Sequence, residues 1–543
     1  MAGLERNPVR KDSKIVLVSP QINTTGNIFD RGQVGQFESY FHPNRFKREI
    51  CTPRLRTLGI PPIHGTLEEQ GYQNVVSLDL RYRPYSQPTP EDWKAIYEAD
   101  VLGVTGITKS AEQALQLAKM YKEANPKGIV IMGGYHASAR PDEALRSGVD
   151  IVVIGEGEKT TEELMQYLES GEPIDNVQGI AYLDEDGQMV TTPKRPLMKK
   201  AELSSLASPV FDPMVERFAK YDGLTTSRGC PFDCEFCGVT QFFNGKYTTL
   251  TDDAVMKELG YIDELSKVRG EKRSIFIDDD NFTQNQSRTI RLLGKFEESE
   301  LFPQGSVIQA RKEAALNPLL NEQLVRSGII TVCVGIESIS DKTLEKANKK
   351  ATREEFEESL RLWREAGLWV HGMFIVGLDG DTKDSFEETK KWAIENVHSA
   401  QFFAPGPLPG TKMTERMHEE GRIITEKWPL YDGHHVLLRP GEEQDFTAWE
   451  LQKAIIDITR DFYDYQNIGK LILNDKISSP AIPKKDIVAW KYNMLKRSLK
   501  LRIYAHWALD SMIKEPGAVA YFQQLQAAEK PQTLKGGVIF SNK

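Results

Sequence analysis

Apolar positions in the first third of the chain fall in short β-branched runs, separated by stretches whose apolar residues recur at helical spacing. The runs 14–19, 74–80, 101–106, 128–133 and 150–154 read as strands, and 110–123 and 159–168 read as helices between them. Apolar strands alternating with amphipathic helices predict a parallel sheet covered on both faces. Residues 178–193 follow as a hairpin turning at Glu185, Asp186 and Gly187. After a polar, proline-containing connection a second β/α series begins. Its strands are expected at 223–227, 274–277, 306–309, 331–335, 370–376 and 400–403, with helices at 252–265, 286–298, 353–366 and 383–395. Six such units predict a parallel sheet curled into a partial barrel. Beyond about residue 446 the strands stop, and 447–468 and 485–527 read as helices. Three domains follow: 1–195, 196–445 and 446–543.

In both sheets, functional groups are expected beyond the carboxyl ends of the strands. Two segments stand at such ends in the first sheet, Gly133-Gly134-Tyr135-His136-Ala137-Ser138 and Gly155-Glu156-Gly157-Glu158-Lys159-Thr160. The first resembles a phosphate loop only loosely, since it lacks both the GxGxxG spacing and the Lys-Ser/Thr pair, so a plain nucleotide site is a poor reading. In the second series the loop after the first strand carries Cys230, Cys234 and Cys237 in C-x3-C-x2-C spacing, three of the chain's five cysteines. Three thiolates on one loop can share a metal centre without completing a four-thiolate shell. An iron–sulfur cluster held this way keeps one iron open to a non-protein ligand. The competing reading is a structural zinc site, but no His or Cys at zinc-ligand spacing lies nearby to complete it.

Composition narrows the setting. A net charge of −9 opposes a broad phosphate-neutralising surface, so nucleic acid is not an expected partner. No run of about eighteen apolar residues occurs, and the first residues have no apolar stretch of a secretory signal. Clustered thiols argue against a disulfide framework and for a reducing, cytoplasmic compartment. Cys333, in an apolar run, reads as a buried small hydrophobe, and Cys51 falls in an unassigned loop.

The cysteine loop after the first strand of a six-unit barrel resembles the radical S-adenosylmethionine superfamily. The resemblance implies that Cys230, Cys234 and Cys237 bind a [4Fe–4S] cluster whose fourth iron chelates S-adenosylmethionine. Reductive cleavage then gives a 5′-deoxyadenosyl radical that takes hydrogen from substrate. Phe236 occupies the family's aromatic position near the adenine. Later strand ends match as well. Asp280 follows the second strand, Arg311 the third and Glu337 the fourth, each a candidate S-adenosylmethionine contact. For each charged residue a barrel-rim salt bridge is the plainer alternative.

The first sheet is similar to the Rossmann-like cobalamin-binding domain that precedes the barrel in one class of these enzymes, and Trp428-Pro429-Leu430-Tyr431-Asp432-Gly433-His434-His435 is typical of that class. Gly133, Gly134, Gly155, Glu156, Gly157 and Thr160 are the candidate cobalamin contacts. The cobalt-ligating D-x-H-x-x-G motif is absent, with Gly106-Ile107-Thr108-Lys109-Ser110 in its place, and His136 is expected to be structural.

The resemblance implies a cobalamin-dependent methyltransferase acting on unactivated carbon, fed by a one-electron donor such as flavodoxin or ferredoxin. An oxidative cyclase or other carbon–carbon bond-forming enzyme with the same cofactors is the first alternative, and a non-catalytic cobalamin or cluster sensor the second. The segment 484–507 is a basic amphipathic stretch that fits packing on the barrel or a membrane surface, which leaves a small-molecule or lipid-like substrate open.

Overall fold

The computed structural model describes residues 9–20, 59–83, 88–468 and 516–529, with single positions 498, 499, 502, 505, 509 and 513. Cys51 lies outside the described residues, as does the segment 484–507 apart from four of those positions.

The first sheet contains β1 (Ile15–Ser19), β2 (Val75–Asp79), β3 (Val101–Thr105), β4 (Ile129–Gly133), β5 (Ile151–Val153), β6 (Ile180–Leu183) and β7 (Met189–Thr191). Their order is β2-β1-β3-β4-β5-β6-β7. The first five are parallel and the last two run antiparallel as the hairpin. Alternation along the strands places Val16, Val18, Leu102, Val104, Val130 and Met132 against Ala114, Leu117 and Tyr121 of the helix Ala111–Ala124. Ile15, Leu17, Val101, Ile129 and Ile131 pack on the other face against Ile60, Leu67, Leu164 and Met165. Each buried aliphatic side chain contributes roughly 1.5–3 kcal/mol. The direction of connection reverses between β1 and β3, and the crevice outside such a switch point is where ligands bind in sheets of this order.

The second sheet is all parallel, β15-β14-β13-β12-β11-β8. Its strands are β8 (Tyr221–Leu224), β11 (Ser274–Ile277), β12 (Ser306–Ala310), β13 (Ile329–Glu337), β14 (Trp369–Ile375) and β15 (Ser399–Phe403). Val332, Val334, Ile336, Val370, Phe374 and Phe402 pack outward on Leu324, Phe356, Leu360, Trp363 and Trp392 of the surrounding helices. The alternate positions Cys333, Gly335, Glu337, His371, Met373 and Gln401 face the other way, into the curl, and are only half-buried. Cys333 is therefore not the fully buried hydrophobe expected from its apolar surroundings. The helices form where local signals agree. Asp252–Arg269 begins at a Thr251 side chain that accepts the Ala254 amide, with Asp252 and Asp253 in the first turn and left-handed Gly270 closing it.

One strand differs from expectation. The chain leaves the ladder at Leu224 instead of running on to Ser227. The carboxylate of Asp279, fully buried, accepts the backbone amides of Thr226 at 2.6 Å and Ser227 at 2.9 Å, and both hydroxyls as well. Those amides are thereby withdrawn from the sheet, and Ser227–Arg228 (β9) pairs antiparallel with Thr248–Thr249 (β10) instead. Beyond the barrel, the helix Ala448–Phe462 covers β15, with the Tyr463 hydroxyl on the carbonyl of Ala400 at 2.8 Å. In the helix Pro516–Glu529, Phe522 stacks on His435.

Asp279→Ala removes four hydrogen bonds to one buried carboxylate. It should lower the stability of the metal-free barrel by about 3 kcal/mol in anaerobic denaturant titration. An unchanged midpoint would show that Thr226 and Ser227 hold the turn without it.

Candidate functional site

The cysteine loop leaves β9 directly. Cys234 is buried, and Cys230 and Cys237 are half-buried. The Cys237 amide donates to the Cys234 carbonyl at 3.1 Å, folding the loop back on itself. The thiols lie close enough to feel one another: burial pushes Cys230 and Cys234 above the ordinary thiol range, and neighbouring cysteines add to the rise. Arg311 pulls both down again, as Lys349 does for Cys234. Among the described residues no three His, Cys, Asp or Glu side chains converge tightly enough to hold one metal ion. A four-iron cluster asks for something different, one thiolate on each of three irons.

The barrel-side candidates surround this loop. Asp280 accepts the amide of Gly229 at 3.0 Å, and burial raises its carboxyl despite that bond. The Arg311 guanidinium lies 3.6 Å from the centre of the Phe232 ring, a cation–π contact that caps the loop. Glu337 ends β13 in the left-handed region at φ 65°, unusual for a non-glycine residue, and its carboxylate meets Lys349 Nζ at 2.9 Å. Phe236 turns instead to an apolar group formed by Ala347, Leu378, Met413, Met417 and Leu438.

The corrin-side candidates divide. Gly134 has φ 95° and ψ −179°, a region that only glycine adopts readily, and a Cβ there would stand 2.7 Å from Thr105 Oγ1. Gly133 precedes it at the end of β4. Gly155 opens onto free space, with no atom within 4 Å of where a Cβ would stand, whereas Gly157 faces Ile63 at 3.1 Å. Thr160 is fully buried and accepts Arg195 Nε at 2.8 Å. Glu156 accepts the Met198 amide at 2.7 Å and Arg228 at 3.1 Å. Thr160 and Glu156 are thus occupied by protein partners. His136 is buried edge-on to Trp428 and bonded to Glu143, as a structural histidine.

The two sheets meet here. Arg228, two residues before Cys230, pairs with Glu158 at 2.7 Å as well as with Glu156. Tyr135, next to Gly134, donates its hydroxyl to the Pro409 carbonyl at 2.9 Å. Trp428 donates to Glu143 at 2.7 Å, and Lys109 approaches Asp432 at 3.9 Å.

The pattern of the Radical SAM superfamily matches residues 224–393, and that of the B12 binding domain matches residues 53–165. The chain thus joins a radical S-adenosylmethionine domain to a B12 binding domain. It is 28% identical over 418 residues to an uncharacterized methyltransferase of Pyrococcus horikoshii, covering 75% of this chain and 85% of that protein. It is 26% identical over 377 residues to the anaerobic magnesium-protoporphyrin IX monomethyl ester cyclase of Rubrivivax gelatinosus, covering 66% of each. The solved structure of the cobalamin-dependent S-adenosylmethionine radical enzyme OxsB with aqua-cobalamin bound matches with a TM-score of 0.66 at 16% identity, over 95% of this chain and 75% of that one. That likeness shows the fold.

The cofactors of the enzyme are a [4Fe–4S] cluster, S-adenosylmethionine and cobalamin, and the residues present fit them. Three neighbouring thiols share one loop. The corrin side offers the open turn at Gly155 and the exposed hydrocarbon of Ile107, 52% accessible, on the loop after β3 at the switch crevice.

Sequence reading missed several residues that shape this region. Arg228 and Asp279 were visible as charges beside recognised motifs, yet their partners come from distant segments. His371 was hidden in an apolar strand. It faces into the curl, bridging Ser399 at 2.8 Å and Gln401 at 3.2 Å, and burial holds it below its ordinary range and so neutral. The alternation in residues 369–375 was its signal.

Burial, the largest influence, would raise the Glu158 carboxyl, but Arg228 together with the backbone amides of Gly157 and Glu158 holds it below the ordinary carboxylate range. The stabilisation is therefore complete above the unfolded value of about 4.3 and is lost as pH falls through the folded value. Glu158→Gln should cost about 2 kcal/mol at neutral pH and flatten the acid side of the stability profile. An acid limb identical to that of the parent protein would contradict this assignment.

Proposed function

We propose that the enzyme is a C-methyltransferase acting on an unactivated carbon of a small-molecule or lipid-like substrate. The observation that carries this reading is the meeting of the cysteine loop with the glycine turns of the first sheet, through Tyr135 and Arg228. That arrangement brings two cofactor sites onto one interface, where one substrate carbon can face both.

When bound, the cluster with S-adenosylmethionine supplies a hydrogen-abstracting 5′-deoxyadenosyl radical, and cobalamin supplies the methyl group. Cys230, Cys234 and Cys237 hold the cluster. Asp280, Arg311 and Glu337 face S-adenosylmethionine from successive strand ends, Arg311 offering a guanidinium for its carboxylate. Gly155 lets the corrin approach the backbone, Gly133, Gly134 and Gly157 shape the turns beside it, and Glu156 and Thr160 brace those turns. Phe236 anchors the loop to the segment after the barrel. The substrate pocket lies between the two sheets, closed by the C-terminal helices that cover β15 and His435. A flavodoxin- or ferredoxin-type protein delivers the electron. The chain's setting is cytoplasmic; no helix among the described residues is long and apolar enough to cross a membrane. The oxidative cyclase is the second reading, favoured by the 26% identity to the Rubrivivax gelatinosus cyclase.

The test supplies reduced, cobalamin-loaded enzyme with methyl-deuterated S-adenosylmethionine. A methyltransferase moves the label into the cobalamin pool and forms S-adenosylhomocysteine as well as 5′-deoxyadenosine. 5′-Deoxyadenosine without S-adenosylhomocysteine would favour the cyclase. Cys234→Ala should abolish 5′-deoxyadenosine, and its continued formation would remove that cysteine from the ligand set.

A further inference from the structure

The cysteine loop is held in two different ways. Its middle is held from the barrel and the segment after it. The Glu235 amide donates to the Ala347 carbonyl at 3.4 Å, Lys412 meets Asp233 at 2.7 Å, and Arg416 meets Glu235 at 2.8 Å. Its two ends also reach the first sheet, the entry being braced from the barrel as well by Asp279 and Asp280. At the entry, Arg228 inserts between Glu156 and Glu158, whose side chains are 9% and 7% exposed. At the exit, the ring of Tyr135 lies over Gly238, the residue after Cys237. A methyl group on Gly238 would stand 2.8 Å from two ring carbons and the hydroxyl oxygen of Tyr135, so glycine is required for the contact. The Tyr135 ring also approaches Phe242, with centroids 6.3 Å apart. Tyr135 and the two glutamates belong to the Gly133–Gly134 and Gly155–Gly157 turns assigned above to the corrin.

We propose that Arg228 and Tyr135 form a two-point clasp through which corrin occupancy sets the geometry of the cysteine loop, and with it the affinity for S-adenosylmethionine. The proposal rests on the placement of cobalamin and cluster given under the proposed function. A corrin seated on the two turns restricts the backbone that carries Tyr135, Glu156 and Glu158. A buried ion pair and a ring in van der Waals contact transmit that restriction, because close-packed groups cannot slide independently. The coupling works in both directions, so S-adenosylmethionine also tightens cobalamin binding by the same factor. Arg228 and Tyr135 are positioning residues; they act through the loop and touch no reacting atom. The clasp withholds radical generation from enzyme that has no cobalamin to supply the methyl group.

Equilibrium dialysis of labelled S-adenosylmethionine against cluster-loaded enzyme, with and without hydroxocobalamin, measures the coupling without turnover. The intact enzyme should bind S-adenosylmethionine at least about 5-fold more tightly when cobalamin is present. Tyr135→Ala and Arg228→Met should each bring the ratio to within about twofold of unity while iron content and cobalamin uptake persist. Gly238→Ala, which displaces the ring from the opposite side without altering the corrin turns, should do the same and serves if Tyr135→Ala folds poorly. Tyr135→Phe keeps the ring and should retain most of the coupling. Equal affinities with and without cobalamin in the intact enzyme would overturn the clasp, as would variants that keep the full ratio. Failure of the intact enzyme to take up cluster or cobalamin would instead overturn the functional reading beneath it.

Discussion

A carboxylate with no solvent exposure, Asp279, gathers two amides and two hydroxyls from Thr226 and Ser227. Burying a charge is costly unless hydrogen bonds replace its water, and here consecutive residues of one turn supply all of them. The turn is the root of the cysteine loop. Arg288 adds a second brace, donating to the Thr226 carbonyl at 2.8 Å, so the chain leaves β8 in one direction. Everything downstream, from the pairing of β9 to the position of Cys230, depends on that exit.

From this root the loop reaches across to a second sheet. The organisation is two sheets whose parallel strands present their carboxyl ends to one seam, where charged and aromatic side chains meet. Each sheet alone would present an open crevice. Arg228 and Tyr135 bring the cysteine loop against the glycine turns. Chemistry that needs a radical generator and a methyl donor at one carbon needs that closeness, because effective concentration falls steeply when reacting groups are misplaced.

Much of this was legible in the sequence where local and global demands agree. Strands such as 274–277 coincide with their observed bounds because an apolar run, a polar turn and a capped helix all point to the same place. The thiol spacing was equally plain. Legibility failed where a distant group overrides the local pattern. The stretch 223–227 looks like one strand, and only the arrival of Asp279 from fifty residues away ends it at Leu224. Glu156 and Thr160 stand beside glycines in a recognised segment, but their partners Arg228, Met198 and Arg195 come from segments that the local pattern does not join to them. Tyr135 lay in a segment singled out at a strand end, but its contacts gave no signal, since Gly238 and Pro409 lie on other segments.

The central claim is that Cys230, Cys234 and Cys237 hold a cluster with one iron free to bind S-adenosylmethionine. Mössbauer spectroscopy of the anaerobically reconstituted, iron-57-labelled enzyme tests it directly. The account predicts about four irons per chain, with one iron changing its spectrum when S-adenosylmethionine is added. A single zinc per chain, or a cluster whose irons are all indifferent to S-adenosylmethionine, would contradict it.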